Sequence, residues 1–241
     1  MRKRIPHITA VSVIIMLVFV FTTAWEIHNC YAVGNVVRVK NIDFRGLNYL
    51  SKYEIIRRVP VKLEEGSIII DVDALERWLA SSRMVKSFRV VQEEESIVVF
   101  VVENKPAYLV MLDKGDRLVP FELDESLNIL SVGIVHAEDM PVILVSENDI
   151  YKNRFSGRIL ELFRIIRYLR SNNVPLLKEI TEIDCTDMNS IRVKLNGRRT
   201  VFSCHSKLKQ FMTINYILGY LDRKGSYPEK ILVDDRMAAS W

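Results

Sequence analysis

At 241 residues, the chain has room for one large or two small domains beside an anchor. Hydrophobic residues make up 49% and no stretch is dominated by Gly, Pro or Ser, which excludes long disordered or low-complexity segments. The formal net charge is +4, of which Arg2, Lys3 and Arg4 supply three; the +1 left for the remainder (4 − 3) excludes an electrostatic footprint for nucleic acid.

From Ile8 to Trp25 there is no charged residue, and Val11 to Phe21 is almost entirely Val, Ile, Leu, Met and Phe. Eighteen residues at a rise of ~1.5 Å span about 27 Å, enough for the hydrocarbon core of a bilayer. Arg2-Lys3-Arg4 stands before the run and Trp25 at its far end, so the positive-inside rule keeps residues 1–7 cytoplasmic and sends the bulk of the chain across. The competing reading is a cleaved signal peptide, with Thr22-x-Ala24 or Cys30-x-Ala32 as the small-residue site. Residues 26–35 then form a linker.

Val36 to Phe44 alternates loosely as a strand, and Gly46 breaks it. Ser51-Lys52-Tyr53-Glu54 is a capping box with Leu50 and Ile55 in the staple positions, so a short helix starts here and stops before Pro60. Asp71 or Asp73 opens a second helix whose apolar face carries Leu75, Trp78 and Leu79. Two strands follow, Val85 to Val91 and Ile97 to Val102, joined by an acidic hairpin turn, Gln92 to Ser96. The predicted order over 36–104 is strand, helix, helix, strand, strand.

In the second unit, 105–241, Tyr108 to Leu112 and Arg117 to Phe121 read as strands around Asp113-Lys114-Gly115-Asp116, and Pro141 to Val145 as another. Phe155, Ile159, Leu162, Phe163, Ile166 and Leu169 form the stripe of a helix ending at Asn172. Glu179 to Cys185, Ile191 to Leu195 and Thr200 to Cys204 form a three-strand meander with Asn196-Gly197 as a hairpin turn. Ser206 caps a second amphipathic helix ending at Gly225. A bridge between Cys185 and Cys204 is conceivable in an oxidising compartment, but the meander sets them about 9–10 Å apart, beyond disulfide reach. They are expected as reduced, partly buried thiols.

The strand-helix-helix-strand-strand order, opened by Val39-Lys40-Asn41-Ile42-Asp43-Phe44-Arg45-Gly46-Leu47, resembles a POTRA domain. Glu65-Gly66-Ser67-Ile68-Ile69-Ile70-Asp71-Val72-Asp73 is similar to the segment leading into its second helix, and Val102-Glu103-Asn104-Lys105-Pro106-Ala107 to the exit of one subgroup. With the anchor in front, and with Val233-Asp234-Asp235-Arg236-Met237-Ala238-Ala239-Ser240-Trp241 matching a terminal "I/L-D-x-R" motif, the chain resembles the FtsQ/DivIB family of bacterial cell-division proteins. Two positions depart from the family pattern: Arg83-Met84-Val85-Lys86-Ser87-Phe88 lacks the preceding proline, and the hairpin proline is replaced by the acidic turn.

The resemblance implies an α+β protein: a single transmembrane helix over 8–25, a POTRA domain over 36–104, and a mixed β-sheet domain with two amphipathic helices over 105–241. It implies a scaffold in the inner membrane, septal during division, whose extracytoplasmic bulk binds coiled-coil bitopic proteins of the FtsB/DivIC and FtsL type, with other division proteins meeting the POTRA domain. The expected binding mode is β-augmentation at an edge strand of about Ile231 to Trp241. Ile231, Val233, Asp234, Arg236, Met237, Ala238 and Trp241 are the candidate partner-binding residues, with Trp241 open between packing and contact. The alternative is a POTRA-containing periplasmic substrate-binding or outer-membrane assembly component; no barrel-like strand series follows here.

No enzyme is expected. His7, His28, His136 and His205 show no metal-ligand spacing, and neither a G-x-S-x-G elbow, a Walker loop nor a G-x-G-x-x-G is present. Cys204 and His205 are sequence neighbours, which a strand points to opposite faces. No cofactor or metal is implied.

Overall fold

The computed structural model describes residues 35–152 and 154–234, with the backbone of 238–239. The expected cytoplasmic tail and the anchor over 8–25 lie outside the described residues. Among the described residues, no helix is long and apolar enough to cross a membrane. The described chain is α+β, and it divides into two compact units between Val102 and Glu103.

The first unit holds strands β1 (Val36–Val39) and β2 (Asn41–Arg45), helix α1 (Lys52–Arg57), strands β3 (Val61–Glu64) and β4 (Ser67–Asp71), helix α2 (Val72–Ser81), and strands β5 (Val85–Gln92) and β6 (Ser96–Glu103). Both helix starts follow their capping residues: the Glu54 amide donates to Ser51 Oγ at 3.0 Å, and the Ala74 amide to Asp71 Oδ1 at 2.9 Å. One expected strand is two, because the ladder changes sheets at Lys40. β1 pairs antiparallel with β4, whereas β2 pairs parallel with β6 in a sheet ordered β2-β6-β5. The β3–β4 hairpin was hidden in the run before the second helix. Glu65 and Gly66 both take positive φ, the geometry that matches strand twist, and Ile68-Ile69-Ile70 supplies the β-branched strand behind it. The core joins Ile42, Ile55, Leu75, Leu79, Ile97 and Val99. Gly46, at φ +88°, passes so close to β6 that a Cβ there would collide with the Val101 carbonyl oxygen.

The second unit runs β7 (Tyr108–Asp113), β8 (Leu118–Leu123), β9 (Ile129–Val132), β10 (Val142–Ser146), a 3₁₀ turn (Glu147–Asp149), β11 (Ile150–Tyr151), β12 (Arg154–Phe155), α3 (Gly157–Ser171), α4 (Leu176–Glu179), β13 (Ile180–Asp184), β14 (Ile191–Leu195), β15 (Val201–Cys204), α5 (Leu208–Lys224), β16 (Lys230–Leu232) and β17 (Ala238–Ala239). Nine of these strands form one mixed sheet, ordered β17-β16-β15-β14-β13-β10-β7-β8-β9. Its parallel neighbours β10 and β13 are connected through α3, and β15 and β16 through α5, as parallel pairing requires a crossover. Both helices bury their stripes on one face of the sheet, where Ile159, Leu162 and Ile166 of α3 and Phe211, Ile214 and Leu218 of α5 meet Val110, Ile143, Val193 and Phe202. Each such side chain contributes about 1.5–3 kcal/mol on burial. The other face carries charge: Glu182 and Lys194 are opposite in register and pair at 2.6 Å, and Asp184 pairs with Arg192 likewise.

Two expectations change here. The Ser206 hydroxyl does not cap α5; it donates to the Arg158 carbonyl at 2.8 Å, tying the start of one helix to that of the other. The final strand is not continuous from Ile231 onward, because β16 ends at Leu232 and Ala238–Ala239 pairs with it antiparallel as β17.

One buried charge fixes the start of α3. The Asp149 carboxylate is wholly buried and accepts from Arg158 Nε at 3.0 Å and Nη2 at 2.9 Å, from Ser156 Oγ at 2.9 Å and from Ser146 Oγ at 3.2 Å. Arg158 also donates to the Asp187 and Cys185 carbonyls, so a single guanidinium joins the 3₁₀ turn, α3 and the end of β13. Burial pushes the Asp149 pKa up, but the bonds from Arg158, Ser156 and Ser146 outweigh it and hold the carboxyl below its ordinary value.

Two outcomes follow from this packing. Gly46→Ala costs about 3 kcal/mol or more, read as accelerated amide exchange in β6 while the second unit keeps its protection. Asp149→Asn leaves Arg158 without its counter-charge and costs about 3 kcal/mol at pH 7 by urea unfolding. Since the folded pKa is depressed, the native pair's stabilisation is complete above the unfolded value of ~3.9 and is lost as pH falls through the lower folded value. The gap between native and Asp149→Asn chains should therefore narrow below about pH 4; a gap constant down to pH 2 contradicts the assignment.

Candidate protein-interaction edge

The C-terminal border of the sheet is built on α5. Gly225, in the left-handed conformation at φ 66°, stops the helix, and its amide donates back to the Leu221 carbonyl at 2.8 Å. The chain then re-enters the sheet through a fixed seam: Thr200 Oγ1 donates to the Pro228 carbonyl at 2.6 Å, the Val201 amide to Glu229 at 2.9 Å, and the Val233 amide to Ser203 at 2.8 Å. This places β16 parallel to β15, with Val201, Phe202 and Ser203 opposite Lys230, Ile231 and Leu232.

The candidate residues separate on this frame. Ile231 and Val233 point into the core and are 2% and 0% exposed, so their side chains hold the sheet rather than meet a partner. Leu232 between them points outward and is 44% exposed. Period-two alternation assigns these faces once the strand is placed, but the sequence alone leaves the register open. Asp234 is half-buried at the turn. Ala238 lies in β17, opposite Leu232, and Ala239 opposite Ile231. Arg236, Met237 and Trp241 lie outside the described residues. β16 is thus flanked on both sides, and among the described residues the border open to a further strand belongs to β17.

The groups that could have carried chemistry are engaged in structure. Among the described residues, no group of three His, Cys, Asp or Glu is placed to hold a metal ion. Glu122 is buried and accepts from the His136 and Ala137 amides at 2.7 and 2.8 Å, with His136 Nδ1 at 2.6 Å from its second oxygen, so the pair pins the loop after β9. Cys204 ends β15 buried, while His205, just past the strand, is exposed. Cys185 and Cys204 are free thiols, fully rather than partly buried. Burial pushes both pKa values up to about 12, which leaves almost no thiolate at neutral pH.

In a chain carrying Cys30→Ser, iodoacetamide at pH 8 should label neither remaining cysteine in the native state and both in urea. Rapid native labelling of either one, read by mass spectrometry, would show a reactive thiol instead.

No family model matches the chain, and no curated protein matches it in sequence.

Proposed function

We propose that the chain is a bitopic scaffold of the FtsQ/DivIB type, anchored by residues 8–25 in the inner membrane, which recruits coiled-coil bitopic division proteins through its extracytoplasmic units and performs no catalysis. The observation that carries this reading is the outer border of β17, which no strand pairs among the described residues, at the end of a sheet whose backbone pairing is otherwise continuous to β9. An edge strand offers unpaired amides and carbonyls, and an extended partner segment gains affinity by completing them. The order β2, α1, α2, β5, β6, with β6 central in its sheet, supports the POTRA reading of the first unit.

The geometry revises the mode of binding. Ile231 and Val233 anchor the border from inside, the partner adds along β17, and selectivity comes from outward groups such as Leu232 together with residues 235–241. Because Ile231 of β16 and Val233 just after it are core side chains, a chain ending before Ile231 would lose packing as well as the border.

A sharper test replaces Ala239 by proline: Leu232 turns its backbone groups to Ala238, so the Ala239 amide faces outward, and its removal takes away an edge donor while leaving β16 in place. Capture of the coiled-coil division partners by the full-length chain should fall at least about tenfold, equivalent to ~1.4 kcal/mol, with the thermal midpoint unchanged. Equal capture by both chains would remove strand addition at β17.

A further inference from the structure

At its opposite end the nine-stranded sheet finishes on β9, and among the described residues no strand pairs with its outer side. The direction of its free backbone groups can be read from the ladder. The Gly133 amide donates to the Pro120 carbonyl at 2.9 Å, while Val132 stands opposite Phe121 and Ser131 opposite Glu122. Successive residues of an antiparallel strand turn their N–H and C=O to alternate sides. Gly133 and Ser131 therefore face β8, and the Val132 amide and carbonyl face outward.

This border is short, four residues with a bulge in its pairing to β8, but it lacks the charge and proline that blunt most edges. Charges, proline or a covering element normally blunt an edge strand. The run Ile129 to Val135 contains no charge and no proline, and Val132, Ile134 and Val135 are exposed. It has a neighbouring cleft as well. On the helix side, the sheet extends past α3, and Leu112, Phe121, Leu123 and Ile129 floor an apolar cleft of about 790 Å³ walled by Phe155 and Leu160. Lys114 and Arg154 stand exposed on its rim against one carboxylate, Glu147.

An unpaired strand edge lying along an apolar cleft suits one kind of occupant. A segment paired with β9 is extended, so every second side chain drops to the cleft side. The excess of rim cations selects a carboxylate beside those apolar residues. We propose that β9 and this cleft form a second strand-addition site, which takes an extended segment of a partner protein with apolar residues at alternate positions and an acidic residue near Lys114 and Arg154. The proposal is independent of the β17 border, which lies at the other end of the sheet.

The test uses the full-length chain in detergent and two fluorescein-labelled probe peptides, Glu-Thr-Val-Thr-Val-Thr, whose Glu shares the face of both Val, and its Lys-headed counterpart, followed by anisotropy. The Glu-headed peptide should bind at least fivefold more tightly than the Lys-headed one and slow amide exchange at residues 129–132. Val132→Pro, which removes an amide that no ladder bond uses, should weaken it at least tenfold. Lys114→Glu, on an exposed rim position that folding does not need, should reverse the head-group preference. An Ala239→Pro chain should bind both peptides as the native chain does. Binding of neither peptide, or binding within twofold of native by Val132→Pro and Lys114→Glu alike, would overturn the proposal; so would loss of binding in the Ala239→Pro chain.

Discussion

An open sheet with helices on one face must end twice, and at each end a row of backbone donors and acceptors is left over. In the second unit the helices cover the sheet's middle: α3 bridges β10 to β13, and α5 bridges β15 to β16. Neither crossover reaches a terminal strand. Apolar burial under the helices thus determines where the borders fall, and those borders are the parts of the unit with unmet pairing capacity. The opposite face, with Glu182–Lys194 and Asp184–Arg192 in cross-strand register, is satisfied by its own charges and offers a partner less.

The Asp149–Arg158 pair matters to this arrangement because it aims α3. A buried ion pair is weak as a source of net stability but strict in geometry, since each charge requires the other. Arg158 leaves no freedom in how α3 departs from the 3₁₀ turn, as its remaining donors are held by carbonyls beyond β13. The walls of the cleft beside β9, Phe155 and Leu160, flank that same point. The cleft is shaped by a charge that does not touch it.

Local rules were legible in the sequence where one segment settles its own structure. Ser51 and Asp71 cap the helices expected of them, and the α3 and α5 stripes face the core as their spacing demands. Gly225 ends its helix as read. Legibility failed where distant segments decide. Nothing local separates β1 from β2; the split at Lys40 exists because two different strands, β4 and β6, claim the two halves. Asp149 and Arg158 are nine positions apart with a hairpin between them, and their pairing follows from that hairpin's closure. Ser206 illustrates competition: a residue suited to capping found a carbonyl on another helix instead. The candidate interaction residues divide the same way. The sequence marks the terminal segment, but only the register with β15 turns Ile231 inward and Leu232 outward.

The contrast between the two borders bears on how each would bind. β17 is held by two register positions, a short ladder with little cross-strand packing to gain from alanine. Short, shallow pairings open locally at low free-energy cost. A partner strand bearing β-branched or aromatic side chains could therefore extend β17 or displace it and pair with β16, whose anchoring by Ile231 and Val233 is independent of β17. β9 is different in kind. It is joined to β8 and secured by the Glu122–His136 loop, so it offers a fixed template with, among the described residues, no occupant to expel. A fixed template binds with less ordering cost than a replaceable one. On the proposed reading, the replaceable strand is the border suited to a regulated exchange of partners, and the fixed one to a lasting contact.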